Sequence, residues 1–270
     1  MNRICRPISK CPSCKISKAA QITITMCGRY TLVKKPISIG KNPAREIRYA
    51  VLANKDDSDF HERYNIAPTQ DNLVIRKDES DGALFASNMR WGLIPSWSKT
   101  GSTQSLLINA RSETIADKPS FKAAYRRRRC LVPGDGYYEW KRVRNGNQPY
   151  YFQLENEAVF YMAGIWESWY DDVGNATSSY AILTTQANAL AAKIHDRMPV
   201  ILEESMALDW LEDEPDRFES ERRFEFFNPL DPSLMKSRPV NPAVNNNQNE
   251  GPACIEAPPI EASTQLDMGF

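Results

Sequence analysis

The chain has 270 residues, with 34 Lys and Arg balanced by 34 Asp and Glu, a length that fits one large domain or two small ones with a substantial core. Zero formal net charge excludes binding of nucleic acid through an overall basic field and leaves that role to a local patch. Six cysteines without regular spacing, and no secretory signal, argue against a disulfide framework and for a reducing compartment; no apolar run approaches the about 20 residues that span a bilayer, so no membrane association is expected.

Residues 1–25 scatter Cys5, Cys11 and Cys14 among Lys, Arg, Ser and Pro with no amphipathic period. The two-residue gap in Cys11-Pro12-Ser13-Cys14 fits half a zinc site, but no second Cys or His pair follows at a suitable distance. No metal is expected, and the segment reads as a disordered leader or as an upstream start that is not used. Next comes Met26-Cys27-Gly28-Arg29-Tyr30, where the glycine permits a tight turn and the arginine and aromatic suit a phosphate and a base. Cysteine is small enough for a preceding initiator methionine to be trimmed, which would leave Cys27 with a free amine beside its thiol, a trap for aldehydes. Taken alone, an isolated intracellular cysteine is more often a small buried hydrophobe.

Residues 34–53 mix Pro, Gly and basic side chains, and His61 falls in a charged, irregular stretch that reads as surface. Tyr64-Asn65-Ile66-Ala67-Pro68-Thr69-Gln70 is expected to be a loop, because Pro68 biases Ala67 towards extended backbone, leading into a strand over 72–76. Residues 77–82 read as a hairpin turn and 85–89 as the returning strand. In Arg90-Trp91-Gly92-Leu93-Ile94-Pro95-Ser96-Trp97, two tryptophans bracket Gly and Pro and cannot share one regular helix. Either both are core residues or they stack on a nucleobase.

In Asn109-Ala110-Arg111-Ser112-Glu113-Thr114, Asn109 and Arg111 stand two apart at the end of a short apolar strand, point the same way and can share one phosphate or sugar. A helix is predicted over 118–129, with Pro119 in its first turn and Phe121, Ala124 and Tyr125 on its apolar face. Its terminal run Arg126-Arg127-Arg128-Arg129 complements the helix dipole more readily than it contacts nucleic acid. Then Cys130-Leu131-Val132-Pro133-Gly134-Asp135-Gly136-Tyr137-Tyr138-Glu139-Trp140 is a strand, a turn and an aromatic strand carrying one acid. Glu139 is either exposed on an edge or held in a desolvated pocket, where its raised pKa would suit general acid or base work.

Strong alternation over 150–154, 159–169 and 179–185 predicts an antiparallel sheet, and the alanine-rich 187–194 predicts a helix delivering His195-Asp196-Arg197-Met198-Pro199. One of only two histidines, His195 stands where a helix gives way to a strand, a suitable place for a proton shuttle. Residues 203–211 read as a last short helix, and the Asn/Pro-rich segment from 240 has too few apolar residues for its own core and should drape over the domain. Beyond Pro259 disorder is expected.

Six of these motifs occur in a fixed order, and together they closely resemble the SRAP family of SOS-response-associated peptidases, now understood as abasic-site-processing proteins. The resemblance covers about 26–258 and implies a single α+β domain, with 1–25 a leader and 259–270 a disordered tail. It further implies a curved, largely antiparallel sheet or barrel with flanking helices and a basic channel for single-stranded DNA. Members of the family use the cysteine at the mature N-terminus for a covalent adduct with an abasic site. Carried over, Cys27 is the nucleophile, Asn109 and Glu139 line the site, and His195 is the acid/base. Arg29, Trp91, Trp97 and Arg111 resemble the DNA-contacting positions. No cofactor is implied. The expected partner is abasic single-stranded DNA, bound by a monomer that is cytoplasmic and nucleoid-associated in a bacterium or nuclear in a eukaryote.

The 25 residues ahead of Met26 depart from the family pattern, since with them attached Cys27 carries an amide nitrogen that cannot close a thiazolidine. Translation from Met26 is the favoured resolution, ahead of a cleaved leader or an impaired copy. Two other readings compete: a cysteine peptidase, perhaps self-processing, with Cys27 as thiolate and His195 as base, and a non-catalytic single-strand-binding module.

Overall fold

The computed structural model describes residues 27–39, 47–49, 60–78, 80–101, 106–144, 146–212 and 225–259. The expectations for the leader and for the tail beyond Pro259 lie outside these residues. Fourteen strands are described, with two α-helices: β1 Tyr30–Leu32, β2 Ile47–Tyr49, β3 Arg63–Ile66, β4 Asp71–Lys77, β5 Leu84–Trp91 and β6 Asn109–Arg111 precede helix α1, Pro119–Arg127. Then follow β7 Arg129–Gly134, β8 Gly136–Val143, β9 Gly146–Leu154, β10 Phe160–Tyr170, β11 Ala176–Gln186, β12 Arg197–Pro199, β13 Ile201–Leu202, helix α2 Glu204–Leu211 and β14 Met235–Pro239.

Five strands close on themselves, since β10 pairs with β11, β11 with β5, β5 with β4, β4 with β7 and β7 with β10. All these pairings are antiparallel except β11 with β5, and closure removes the barrel's edges. The period of two sorts the side chains into two cores. Val74, Met89, Cys130, Val132, Met162 and Ile182 join one cluster; their neighbours Ile75, Leu131, Ala163, Ala181 and Leu183 join the other, with Ala124 and Tyr125 of α1 and Trp210 of α2. Both faces of the barrel are thus covered, which is why β7 is buried at every position and reads as a nearly continuous apolar run. A second sheet, in the order β14-β9-β8-β1-β3, adds Tyr30, Ile66, Tyr137 and Phe152 to the first cluster. The expected α+β class with a largely antiparallel barrel and flanking helices is the architecture observed.

Helix α1 begins on Pro119 and buries Phe121, Ala124 and Tyr125, as its spacing predicts. Of the arginine run, Arg126 and Arg127 stay exposed, Arg128 pairs with the buried Glu167, and Arg129 turns back to donate to the Tyr125 and Arg126 carbonyls at 3.0 and 2.9 Å. A cation on the last carbonyls of a helix satisfies acceptors that lack intrahelical donors.

Two local expectations fail. Of the loop expected over 64–70, residues 64–66 instead belong to strand β3 and only 67–70 lie outside a strand, because β1 supplies an antiparallel partner that local sequence cannot reveal. The alanine-rich 187–194 is helical only as a 3₁₀ turn at Ala191–Lys193. There Asn188 takes over the capping, its Oδ1 accepting from the Leu190 and Ala191 amides at 3.1 and 2.9 Å while its Nδ2 donates to the Leu230 carbonyl. An Asn that bonds nearby backbone ends regular structure more effectively than alanines prolong it. The segment from 240 does drape: Val240, Val244 and Cys254 pack on Tyr138 and Tyr151 in a small third core.

Candidate active site

The site is assembled by the register of β1 on β8. Tyr30 faces Tyr137 and Thr31 faces Gly136, and the Tyr138 amide donates to the Arg29 carbonyl at 3.0 Å. This zip needs a tight entry. Asp135, buried in the turn between β7 and β8, accepts from the Thr31 hydroxyl at 2.5 Å and from the Val33 and Lys34 amides at 2.6 and 2.8 Å. Gly136 is required beside it, because a Cβ there would lie 2.1 Å from the Tyr151 ring.

Continuing the register backwards sets Gly28 opposite Glu139, with Cys27 the residue before it. The Cys27 backbone nitrogen donates to a Glu139 carboxylate oxygen at 2.7 Å, with Cys27 3% and Glu139 2% exposed. Cys27 holds a positive φ of 46°, a left-handed conformation unusual for a residue with a Cβ and a local cost that the surrounding contacts must offset. That nitrogen is a peptide amide, joined to Met26; it stands where an α-amine would stand if the chain began at Cys27. Of the two possibilities for Glu139, the desolvated pocket is the one observed.

Burial pushes the Glu139 carboxyl above the ordinary glutamate range, opposed by the Cys27 hydrogen bond and by His195. Burial likewise pushes the Cys27 thiol well up, reinforced by Glu139 and opposed by Arg197. These mutual influences place Cys27, Glu139, His195 and Arg197 in one electrostatic neighbourhood. The His195 Nδ1 lies 3.1 Å from the Arg197 amide and 3.0 Å from Asp196 Oδ1. In neutral imidazole Nδ1 accepts from that amide, and the proton resides on Nε2.

Arg197 is held by the strands around β11. Both its terminal nitrogens donate to Glu113, NH2 to Oε2 at 2.9 Å, and NH2 also reaches the Thr184 carbonyl at 2.7 Å. Thr184 itself pairs with Pro199 of β12 and with Arg111 of β6, so one residue of β11 joins both flanking strands. Asn109 starts β6 beside Ile182 and is half-buried, while Arg111, two residues on, is exposed. The same-side placement expected from their spacing fits this strand. Arg197 and Glu113 escaped the sequence reading, although both sit inside motifs it singled out. An arginine within a short apolar strand, with an acid near another motif, is the signal that was available.

The assigned DNA contacts divide. Trp97 is 64% exposed, in the loop after β5. Trp91 must be withdrawn as a contact, for it is wholly buried, stacked on Tyr180 at 6.2 Å between centroids and edge-on to Tyr30, with its indole nitrogen donating to the Ile108 carbonyl. No face of that ring is open to a base. Arg29 is partly committed: its NH1 donates to Asn65 Oδ1 at 2.6 Å and to the Val244 carbonyl at 2.7 Å, and its guanidinium lies over Trp140. It ties the draped segment to β3 and β8.

Among the described residues no group of three or more His, Cys, Asp or Glu is arranged to hold a metal ion, and no helix is long and apolar enough to cross a membrane. The arrangement sets a buried carboxyl against the Cys27 nitrogen, with the Cys27 thiol, His195 and Arg197 in the same electrostatic neighbourhood.

The model of the family described as SOS response associated peptidase (SRAP) matches residues 26–247. The chain is 35% identical over 236 residues to the abasic site processing protein YoqW of Bacillus subtilis, covering 86% of this chain and all of that one. It is 31% identical over 240 residues to the abasic site processing protein HMCES of Rattus norvegicus, covering 74% of this chain and 66% of the relative. Among solved structures, a Bacteroides thetaiotaomicron protein superposes with a TM-score of 0.62 at 27% identity, covering 72% of this chain and 84% of that one. A Bordetella bronchiseptica protein with a TM-score of 0.64 at 24% identity, covering 80% and 100%, shares the fold.

Proposed function

The chain belongs to the SOS response associated peptidase family, and from that premise we propose that it processes abasic sites in single-stranded DNA by covalent capture through Cys27. The observation that carries this reading is the Cys27 nitrogen held 2.7 Å from a buried carboxylate. Cys27 acts with its α-amine free, after loss of Met26 and whatever precedes it.

A ring-opened abasic site presents an aldehyde. The amine, with a pKa of about 8, is partly unprotonated at neutral pH and attacks the carbonyl carbon. The carbinolamine expels water to give an imine, and the thiol then adds to the imine carbon. The sulphur–carbon bond forms, the C=N π pair returns to nitrogen, and the thiol proton ends on that nitrogen, closing a five-membered thiazolidine. Closure is intramolecular and so proceeds at high effective molarity. Glu139, raised by its burial, takes the amine proton and returns one to the departing hydroxyl. His195 assists opening of the deoxyribose, Asn109 holds the sugar, and Arg111 and Trp97 contact the strand. The role is protection of lesions exposed during replication and the damage response.

The peptidase reading fits the site less well. An activated cysteine needs a lowered pKa, whereas burial and Glu139 push this thiol upward. The test is to incubate protein begun at Met26, and separately at Met1, with uracil-excised single-stranded DNA. A denaturation-resistant product is expected from the first alone. Its absence from both, or peptide cleavage without DNA, would overturn the reading.

A further inference from the structure

Tyr137 and Glu139 alternate along β8, so both side chains leave the same face of the strand, the face that Cys27 covers. The Tyr137 ring is fixed: it stacks on Phe152 at 4.9 Å between centroids and 8° between planes, and the residue is 1% exposed. Its hydroxyl is buried with no hydrogen-bond partner among the described residues. A buried hydroxyl left unpaired is costly, and a fold retains one most readily where a partner arrives during function. Burial, reinforced by Cys27 and Glu139, holds the phenol in its protonated, donating form.

We propose that Tyr137 is a further residue of the site, whose hydroxyl donates a hydrogen bond to the Cys27 sulphur as that sulphur gives up its proton. Glu139 accepts from Cys27 and Arg197 is occupied by Glu113 and Thr184, whereas the Tyr137 hydroxyl is uncommitted among the described residues. In the capture reaction the thiol proton passes by way of Glu139 to the ring nitrogen, negative charge grows on sulphur until its lone pair bonds the imine carbon, and the Tyr137 O–H offsets that charge without transferring its own proton. This step rests on the thiazolidine reading, but the donor role does not, since any reaction through the Cys27 thiolate would draw on it.

The test is Tyr137→Phe, which keeps the stacked ring and removes one oxygen, in the chain begun at Met26. Two rates are compared with the unsubstituted protein: alkylation of Cys27 by iodoacetamide from pH 6 to about 10, followed by mass spectrometry of its peptide, and capture of abasic single-stranded DNA. Loss of a hydrogen bond to a developing charge should slow alkylation about tenfold or more at neutral pH and move its pH profile upward, with capture slowed in parallel and the melting temperature held. Equal alkylation rates, including none in either protein, overturn the proposal. If alkylation slows but neither protein captures DNA, the donor role stands and the thiazolidine reading falls.

Discussion

Cys27 and Glu139, 112 positions apart in sequence, meet through a 2.7 Å hydrogen bond from the backbone nitrogen of one to the carboxylate of the other. Because burial raises the Glu139 carboxyl, folding favours its protonated form. That contribution is complete below the unfolded carboxylate pKa of about 4.3 and is lost as pH rises through the folded value, at about 1.4 kcal/mol for each unit of separation. Glu139→Gln cannot ionise and escapes this loss. Melts from pH 4 to about 7 should show the variant gaining on the parent as pH rises; a constant gap would contradict it. Capture of abasic DNA by the same variant should slow by about 100-fold or more, with strand affinity unchanged in fluorescence anisotropy.

The Arg197–Glu113 pair predicts the opposite pH sign. Its hydrogen bonds to Arg197 pull the Glu113 carboxyl below its ordinary value, so its stabilisation is full above about 4.3 and disappears as pH falls through the lowered folded value. Arg197 is buried but Glu113 is partly exposed, so solvent screening keeps Glu113→Gln to about 1 kcal/mol. Arg197→Ala should cost more, about 3 kcal/mol, because it also abandons the Thr184 carbonyl and opens a cavity. Urea denaturation at pH 7 checks both, and equal costs would argue against a buried guanidinium at this position.

Trp91 and Trp97 should behave as different kinds of residue. Trp91→Ala removes a ring packed on Tyr30 and Tyr180 and is expected to cost about 3–5 kcal/mol of stability. Trp97→Ala should leave stability within about 0.5 kcal/mol and weaken single-strand binding by about 1–3 kcal/mol, the worth of one stacked base. Thermal melts and anisotropy titrations on the two variants separate these effects.

Arg29→Met should loosen the draped segment rather than the barrel. It removes donors to Asn65 and Val244, while Asn65 itself still bonds the Asn246 and Asn249 carbonyls. Faster hydrogen exchange confined to about 240–256 is expected, with barrel amides unchanged. Uniform loss of protection would show that the segment is part of the cooperative core.

Much of the fold was legible because alternation is a local property. The stretches 150–154, 159–169 and 179–185 fall on β9 of the second sheet and on β10 and β11 of the barrel, and helix α1 advertises its single apolar stripe in Phe121, Ala124 and Tyr125. Strand β3 was not legible, since its pairing with β1 is non-local, nor was the shortness of the turn at Ala191–Lys193, where Asn188 decides the backbone.

By itself the sequence determined the family, the class of fold and which stretches carry chemistry, since six motifs in order need no coordinates to be read. Tertiary structure decided what each residue within them faces. Period two says only that Trp91 and Arg90 point to opposite sides, not that the indole's side is the barrel core. Likewise it is the register of β1 on β8, set by Asp135 and Gly136 in the turn, that carries Cys27 onto Glu139 and gathers Tyr137 beneath it. Pairing between distant segments is an energetic outcome of the whole chain, and no window of neighbouring residues contains it.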